Sequence, residues 1–250
     1  MERIQKIHLV AACGTDMGNH ACMVKQMGSE VTGSDHQVYP PMSEVLAKND
    51  IQLFERFDPA NLDHSPDLVI IGNAVTRDNP EAAAVLDRQI PCLSMPQAVN
   101  RFVAAGKKII LITGTHGKTT TAAVMAHILT VAGMDPGFMI GGILKDYQSG
   151  FRIGQGDYLV IEGDEYDTAF FDKGPKFMHY DPFVTVMTGV EFDHADIFRD
   201  LDHVKSVFAE LAAKAAATSV LIACKDSPHL MDVLTDQRIK PVLYGTGGDW

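Results

Sequence analysis

The sequence predicts an α/β protein built from two parallel-sheet units. The first is Rossmann-like; the second is a P-loop α/β unit of the ATPase type, and it reads as truncated. Three observations carry this. Short β-branched runs alternate with helical stretches, as in a parallel sheet with crossover helices. The alternation restarts after Ala104-Ala105-Gly106-Lys107, a short hinge-like stretch. Near the start of each half, a strand runs into a glycine turn and then a helix, around Gly14 and around Gly114. The expected domains are therefore 1–105 and 106–250.

The elements follow in order. Ile7–Ala12 reads as a buried strand, Met17–Met27 as a helix stopped by Gly28, and Glu30–Gly33 as a second strand. Ser43–Lys48 is helical and Leu68–Ile71 is a strand ending in a polar turn. Pro80–Arg88 is a helix, with Asn79 as its cap and Pro80 at its first position. Met95–Val103 reads as one further helix. In the second half, strands are expected at Ile109–Thr113, Asp157–Ile161, Phe183–Thr188, Ser219–Ala223 and Pro241–Tyr244. Helices are expected at Lys118–Ala132, with Gly133 as its stop, and at Leu201–Ala217. The chain ends just after a strand with no closing element, so the second unit is expected to be incomplete.

Composition narrows the function. The 250 residues are 46% hydrophobic, enough for a sizeable core, and the net charge is −11. That charge argues against nucleic acid and anionic membrane surfaces as partners, but allows local phosphate sites. No apolar run approaches the length of a membrane helix, and no secretory leader is read. Cys13, Cys22, Cys92 and Cys224 form no C-x-x-C pair. They read as reduced thiols of a cytoplasmic protein rather than a zinc or disulfide framework.

The segment 109–121 is the most informative. Gly114-Thr115-His116-Gly117-Lys118-Thr119-Thr120 follows a strand and opens a helix. Gly114 and Gly117 let backbone N–H groups curl around phosphate oxygens at a helix N-terminus. Lys118 can reach the β- and γ-phosphates, and Thr119 can ligand Mg²⁺. The strict Walker spacing is broken, since Ile112 stands at its first glycine. The competing reading is an ordinary strand–helix turn with a surface lysine.

Two acidic segments also follow strands, where ligands of open parallel sheets bind. Glu162 is a candidate to hold Mg²⁺, with Asp164 and Glu165 as supporting or substrate-facing groups. Glu191, Asp193, His194 and Asp196 follow the next strand, and Glu162 and His194 can share a second cation if both strands flank the phosphate-loop strand. A solvated acidic loop and a structural histidine are the plainer alternatives. In the first unit Gly14, Gly18 and Asp35 partly match a dinucleotide fingerprint, with G-x-G-x-x-G absent. Asn73 and Thr76 lie on a second polar turn that can face the same diphosphate, or the whole can be a structural βαβ turn.

These motifs together resemble the Mur ligase family, which builds the peptide of bacterial cell-wall precursors. The resemblance spans nearly the whole chain: Gly14–Gly18, Ser34-Asp35, 114–120, Glu162-Gly-Asp-Glu165 and Glu191-Phe-Asp-His194. Segments 38–43, 165–173 and 191–198 point to the branch that reattaches a recycled tripeptide, rather than the branch that adds L-alanine. The resemblance implies a cytoplasmic ligase using ATP and Mg²⁺ to join the lactyl carboxylate of UDP-N-acetylmuramate to the amine of L-Ala-γ-D-Glu-meso-diaminopimelate through an acyl phosphate. It implies Lys118, Glu162 and His194 as catalytic residues and Thr119, Glu162 and His194 as metal ligands. ATP then lies on Gly114, Thr115, His116, Gly117, Lys118, Thr119 and Thr120. The UDP-sugar lies on Gly14, Thr15, Gly18, Ser34, Asp35, Asn73 and Thr76.

Departures from the family pattern stand at Ala11 and Asn19, where glycines are usual. Ala209 occupies the place of a lysine that some members carbamylate, and Lys205 is no clear substitute. The family's third, C-terminal domain has no counterpart in these residues. The rival readings are a non-catalytic UDP-sugar-binding fragment, a P-loop switch or transport ATPase, and a nicotinamide-dependent oxidoreductase built on Gly14 and Asp35.

Overall fold

The computed structural model describes residues 6–193, 195, 197–235 and 239–249. The chain divides into two compact units: Met1–Ala105 with Asp167–Gly174, and Gly106–Tyr166 with Pro175–Trp250.

The first unit holds β1 (Lys6–Val10), α1 (Thr15–Gln26), β2 (Glu30–Ser34), α2 (Met42–Lys48), β3 (Gln52–Phe54), β4 (Leu68–Ile71), α3 (Pro80–Asp87), β5 (Cys92–Ser94) and α4 (Met95–Ala98). Its five strands are parallel in the order β3-β2-β1-β4-β5. This is the Rossmann order, and it reverses direction between β1 and β4. Val10, Val69 and Ile71 pack on Ala82 and Val85 of α3 to form one face of the core. Each buried valine or isoleucine among them contributes about 1.5–3 kcal/mol. Asn79 caps α3 as expected, its Oδ1 accepting from the N–H groups of Glu81 (3.0 Å) and Ala82 (3.1 Å).

A polar cluster is sealed inside this unit. His8 and Glu81 are both fully buried, with His8 Nε2 2.5 Å from Glu81 Oε1. Ser34 Oγ donates to the same oxygen at 2.8 Å. The other carboxylate oxygen accepts from Asp58 N (3.2 Å) and Asn61 Nδ2 (3.0 Å). His8 Nδ1 lies 2.7 Å from Thr32 Oγ1. Buried polar side chains need this kind of full hydrogen-bond complement.

The second unit holds β6 (Lys108–Thr113), α5 (Lys118–Val131), β7 (Gly137–Leu144), β8 (Ser149–Arg152) and β9 (Tyr158–Gly163). A short hairpin, β10 (Asp167–Ala169) and β11 (Asp172–Pro175), lies almost wholly in the first unit. The second unit then continues with β12 (Pro182–Met187), α6 (Leu201–Thr218), β13 (Val220–Cys224), α7 (Pro228–Val233) and β14 (Val242–Tyr244). The seven strands run in the order β14-β13-β12-β6-β9-β7-β8, with only β8 antiparallel to its neighbour. Ile110 and Ile112 of β6 pack with Phe138, Val160 and Val186 against Ala122, Ala126 and Leu129 of α5.

Two expectations need correction. The segment 167–174 belongs to the first unit, not the second. Ser94 Oγ donates to Asp172 Oδ2 at 2.7 Å, and Phe170 packs against the first unit's core, so the hairpin is anchored there. Met95–Val103 is not one regular helix: α4 ends at Ala98 and Val99–Val103 forms a wider π-type turn. The sequence reading also omits β3, β5, β7, β8, the hairpin and α7.

Candidate functional site

The phosphate-loop region is assembled at the carboxyl ends of adjacent strands. β6 is flanked by β12 on one side and β9 on the other, both parallel to it. That is the neighbour relation the Glu162 and His194 reading requires. His194 and Asp196 themselves lie outside the described residues.

Gly114 leaves β6 with φ +135°, and a Cβ there would lie 2.1 Å from Thr188 Oγ1 and 2.9 Å from Gly189 O. Only glycine fits. Thr188, which sequence reasoning missed, buttresses the loop: its Oγ1 donates toward His116 O (2.5 Å) and Thr113 O (3.1 Å). Thr115 is buried. Its N–H donates to Gly189 O at 3.1 Å, and its Oγ1 accepts from Glu191 N at 3.0 Å. Thr115 thus ties the loop to the segment after β12 and presents no hydroxyl to solvent. Gly117, at φ +79°, caps α5, so the helix begins at Lys118 with free N–H groups. Thr119 and Thr120 are exposed on the first turn. His116 is exposed too, with Glu191 and Asp193 carboxylates each 3.6 Å from its ring nitrogens.

Lys118 Nζ donates to Gly114 O at 2.7 Å and lies 3.0 and 3.2 Å from the two carboxylate oxygens of Glu165. Thr119 Oγ1 donates to Glu162 Oε2 at 3.1 Å, and Glu162 Oε1 accepts from Gly141 N at 2.8 Å. Glu162 is still within β9, paired in register with Ile112. Gly141 and Gly142 of β7 matter here: a Cβ on Gly142 would lie 3.3 Å from Thr119 Cγ2. These glycines were not singled out from sequence, because Gly-Phe-Met-Ile-Gly-Gly does not read as a strand. Thr119 and Glu162 offer adjacent hard oxygen donors at the loop, the donor chemistry Mg²⁺ prefers. Among the described residues no cluster of three His, Cys, Asp or Glu side chains forms a metal cage. Lys205 is engaged elsewhere, 2.8 Å from Asp232.

The first unit presents a cleft of about 220 Å³ at the β1/β4 switch point. Gly14, Asp35 and Asn73 line it, together with Ala11, Cys13 and Phe57. Asp35 is buried, and its oxygens accept from Cys13 N (2.9 Å) and Gln37 N (3.1 Å). It therefore pins the glycine turn to the end of β2, while each oxygen keeps further acceptor capacity. Burial, and after it the Asp35 charge, pushes the Cys13 thiol up to about 11. The other first-unit candidates do not line the cleft. Ser34 Oγ points to Glu81 in the sealed cluster. Gly18 is a packing glycine, since a Cβ would meet Met42 Sδ at 2.2 Å. Thr15 is exposed at the start of α1, and Thr76 bonds Asp78, whose carboxyl it holds below the usual range.

Comparison with known proteins agrees with this layout. The family description "Mur ligase family, catalytic domain" matches residues 6–107, and "Mur ligase middle domain" matches 112–249. A UDP-N-acetylmuramate–L-alanyl-γ-D-glutamyl-meso-2,6-diaminoheptandioate ligase of Escherichia coli is 48% identical over 206 residues, covering 82% of this chain and 45% of that protein. A UDP-N-acetylmuramate–L-alanine ligase of Methylobacillus flagellatus is 33% identical, covering 97% of this chain and 49% of that protein. A solved UDP-N-acetylmuramate:L-alanyl-γ-D-glutamyl-meso-diaminopimelate ligase from Neisseria meningitidis superposes with a TM-score of 0.91 at 37% identity, over 98% of this chain and 79% of that one. The chain spans about half the length of the curated relatives it matches. Among the described residues no helix is long and apolar enough to cross a membrane. With both domain descriptions matching in tandem, the chain belongs to the Mur ligase family.

Proposed function

We propose that this chain carries the UDP-sugar-binding and ATP-binding units of a cytoplasmic ligase. The reaction joins the lactyl carboxylate of UDP-N-acetylmuramate to the amine of L-alanyl-γ-D-glutamyl-meso-diaminopimelate, as in cell-wall peptide recycling. The observation that carries the reading is the grouping of Lys118, Thr119 and Glu162 on adjacent parallel strands and one helix N-terminus.

A carboxylate is a poor electrophile, so amide formation needs activation. ATP supplies the phosphoryl group for an acyl phosphate, and Mg²⁺ offsets charge on its oxygens. The backbone N–H groups at the start of α5 and the Lys118 ammonium meet phosphate oxygens. Thr119 and Glu162 would hold the metal through their oxygens, and His194 is proposed as a ligand of a second one. In the first unit, the turn at Gly14, with Asp35 and Asn73, receives the UDP-sugar.

Addition of L-alanine is the second reading. It shares every residue above, and the higher identity to the tripeptide-named relative, 48% against 33%, favours the first. Titration of UDP-N-acetylmuramate into the chain by calorimetry, with NAD in a parallel cell, tests the assignment. Saturable binding of the UDP-sugar and none of NAD is the expected result. Binding of NAD alone would replace the ligase with an oxidoreductase.

A further inference from the structure

The Lys118 ammonium is already saturated. It has three N–H donors, and three acceptors surround it: Gly114 O at 2.7 Å and the Glu165 oxygens at 3.0 and 3.2 Å. A phosphate oxygen can therefore engage Lys118 only if one of these bonds is released.

Gly114 O is part of the loop that would wrap the phosphates. Glu165 is the other partner, and it is poorly placed to follow a moving lysine. Its side chain is fully buried, whereas that of Lys118 is 16% exposed. Its backbone is pinned on both sides. Phe177 N donates to Asp164 O at 3.3 Å, and Lys176 N donates to Tyr166 O at 3.1 Å. The Asp164 carboxylate is itself paired with Lys176 Nζ at 2.8 Å. The mobile member of the pair is the lysine.

We propose that Glu165 is a positioning residue that competes with phosphate for Lys118. It holds the ammonium at the mouth of the loop, and an incoming triphosphate takes the ammonium over from it. This rests on reading the loop as a triphosphate site. Glu165 keeps a flexible cation in one place, which lowers the ordering cost of binding. It also sets a negative charge beside the arriving phosphates, which weakens binding until that charge is offset. The Glu165 carboxylate thus trades affinity for placement.

The test is a metal-free calorimetric titration of inorganic tripolyphosphate into the wild-type chain and Glu165→Gln. Gln keeps the shape and removes the charge. The expected result is roughly tenfold tighter binding to Glu165→Gln, the size expected when a charge-assisted competitor is removed. A merely structural role would weaken binding, so equal or weaker affinity in a folded variant overturns the proposal. In a Lys118→Met background most of the gain from Glu165→Gln should be lost, leaving only the relief of a nearby negative charge, and a gain as large as in the wild-type background overturns it. If Glu165→Gln does not fold, a crystal structure of the wild-type chain with tripolyphosphate decides. Lys118 Nζ on a phosphate oxygen and off Glu165 supports the exchange; Lys118 still bonded to both carboxylate oxygens refutes it. Failure of the wild-type chain to bind tripolyphosphate or MgATP would instead refute the phosphate-site reading beneath it.

Discussion

The two glycine turns look alike in sequence and are built on different physics. Each follows a parallel strand and opens a helix. Gly114 stands at φ +135°, with no room for a Cβ against Thr188 and Gly189. Gly14 stands at φ −66°, an ordinary conformation, with nothing within 4 Å of a built Cβ. In the first turn the left-handed residue is Ala11, at φ +66°. That turn is held instead by a side chain, the Asp35 carboxylate on Cys13 N. One turn depends on a missing side chain and the other on a present one.

Gly114→Ala should have the largest effect. The added methyl meets Thr188 Oγ1 and Gly189, and the loop must distort. A loss of about 3 kcal/mol or more in the second unit is expected, with nucleotide binding abolished. Gly14→Ala should stay near wild type in the same melt. Similar losses at the two glycines would end the contrast.

The helices after the turns differ as well. Within α1, His20 is fully buried, and neither ring nitrogen has a hydrogen-bond partner. Burial pulls its pKa down to about 4. The folded state keeps the imidazole neutral, while the unfolded chain takes up a proton below about 6.5. Stability is therefore complete above pH 6.5, falls as the pH drops to 4, and is flat below that on this account. The loss amounts to about 3 kcal/mol. His20→Leu should flatten this limb in urea melts taken across that range, and an unchanged slope would remove His20 as its source.

Asp35→Ala should cost about 2 kcal/mol, since two backbone N–H groups lose their acceptor, and it should weaken UDP-sugar binding in calorimetry. Ala11→Gly is the smallest change and acts in the opposite direction. Relief of the left-handed alanine should raise stability by roughly 0.5–1 kcal/mol, less the entropy glycine adds to the unfolded chain. A loss on Ala11→Gly would mean the methyl contributes packing that the backbone geometry does not reveal.

The strongly periodic elements were legible from sequence. β4 matches the predicted Leu68–Ile71, and β6, α5 and α6 fall within a residue of expectation at each end. The short strands were not, because Gln52–Phe54 and Cys92–Ser94 carry three residues each and no alternation. The hairpin at Asp167–Gly174 was missed because membership of the first unit is a tertiary choice, made by Ser94 and the packing of Phe170. Among the proposed site residues, the proximity of Lys118, Thr119 and Glu162 was legible because each lies at a loop or strand end next to the others. Thr188 and Gly141 were not legible, since each earns its place only by lying next to a strand distant in sequence. Ser34 and Gly18 matched motif positions but serve the interior.

The sealed cluster around Glu81 has a kinetic consequence. Its members stand far apart along the chain, and the His8–Glu81 pair alone closes a separation of 73 residues. Contacts of such range form only after the intervening loops have closed. The expectation is that the cluster closes late and acts as a latch on the finished unit. Its removal should speed unfolding and leave the folding rate almost unchanged. A stopped-flow comparison of wild type with Glu81→Ala reads both rates, and a slowed folding limb would place the cluster in the nucleus instead. A latch of this kind preserves the first unit through slow escape from the native state, whatever its margin at equilibrium.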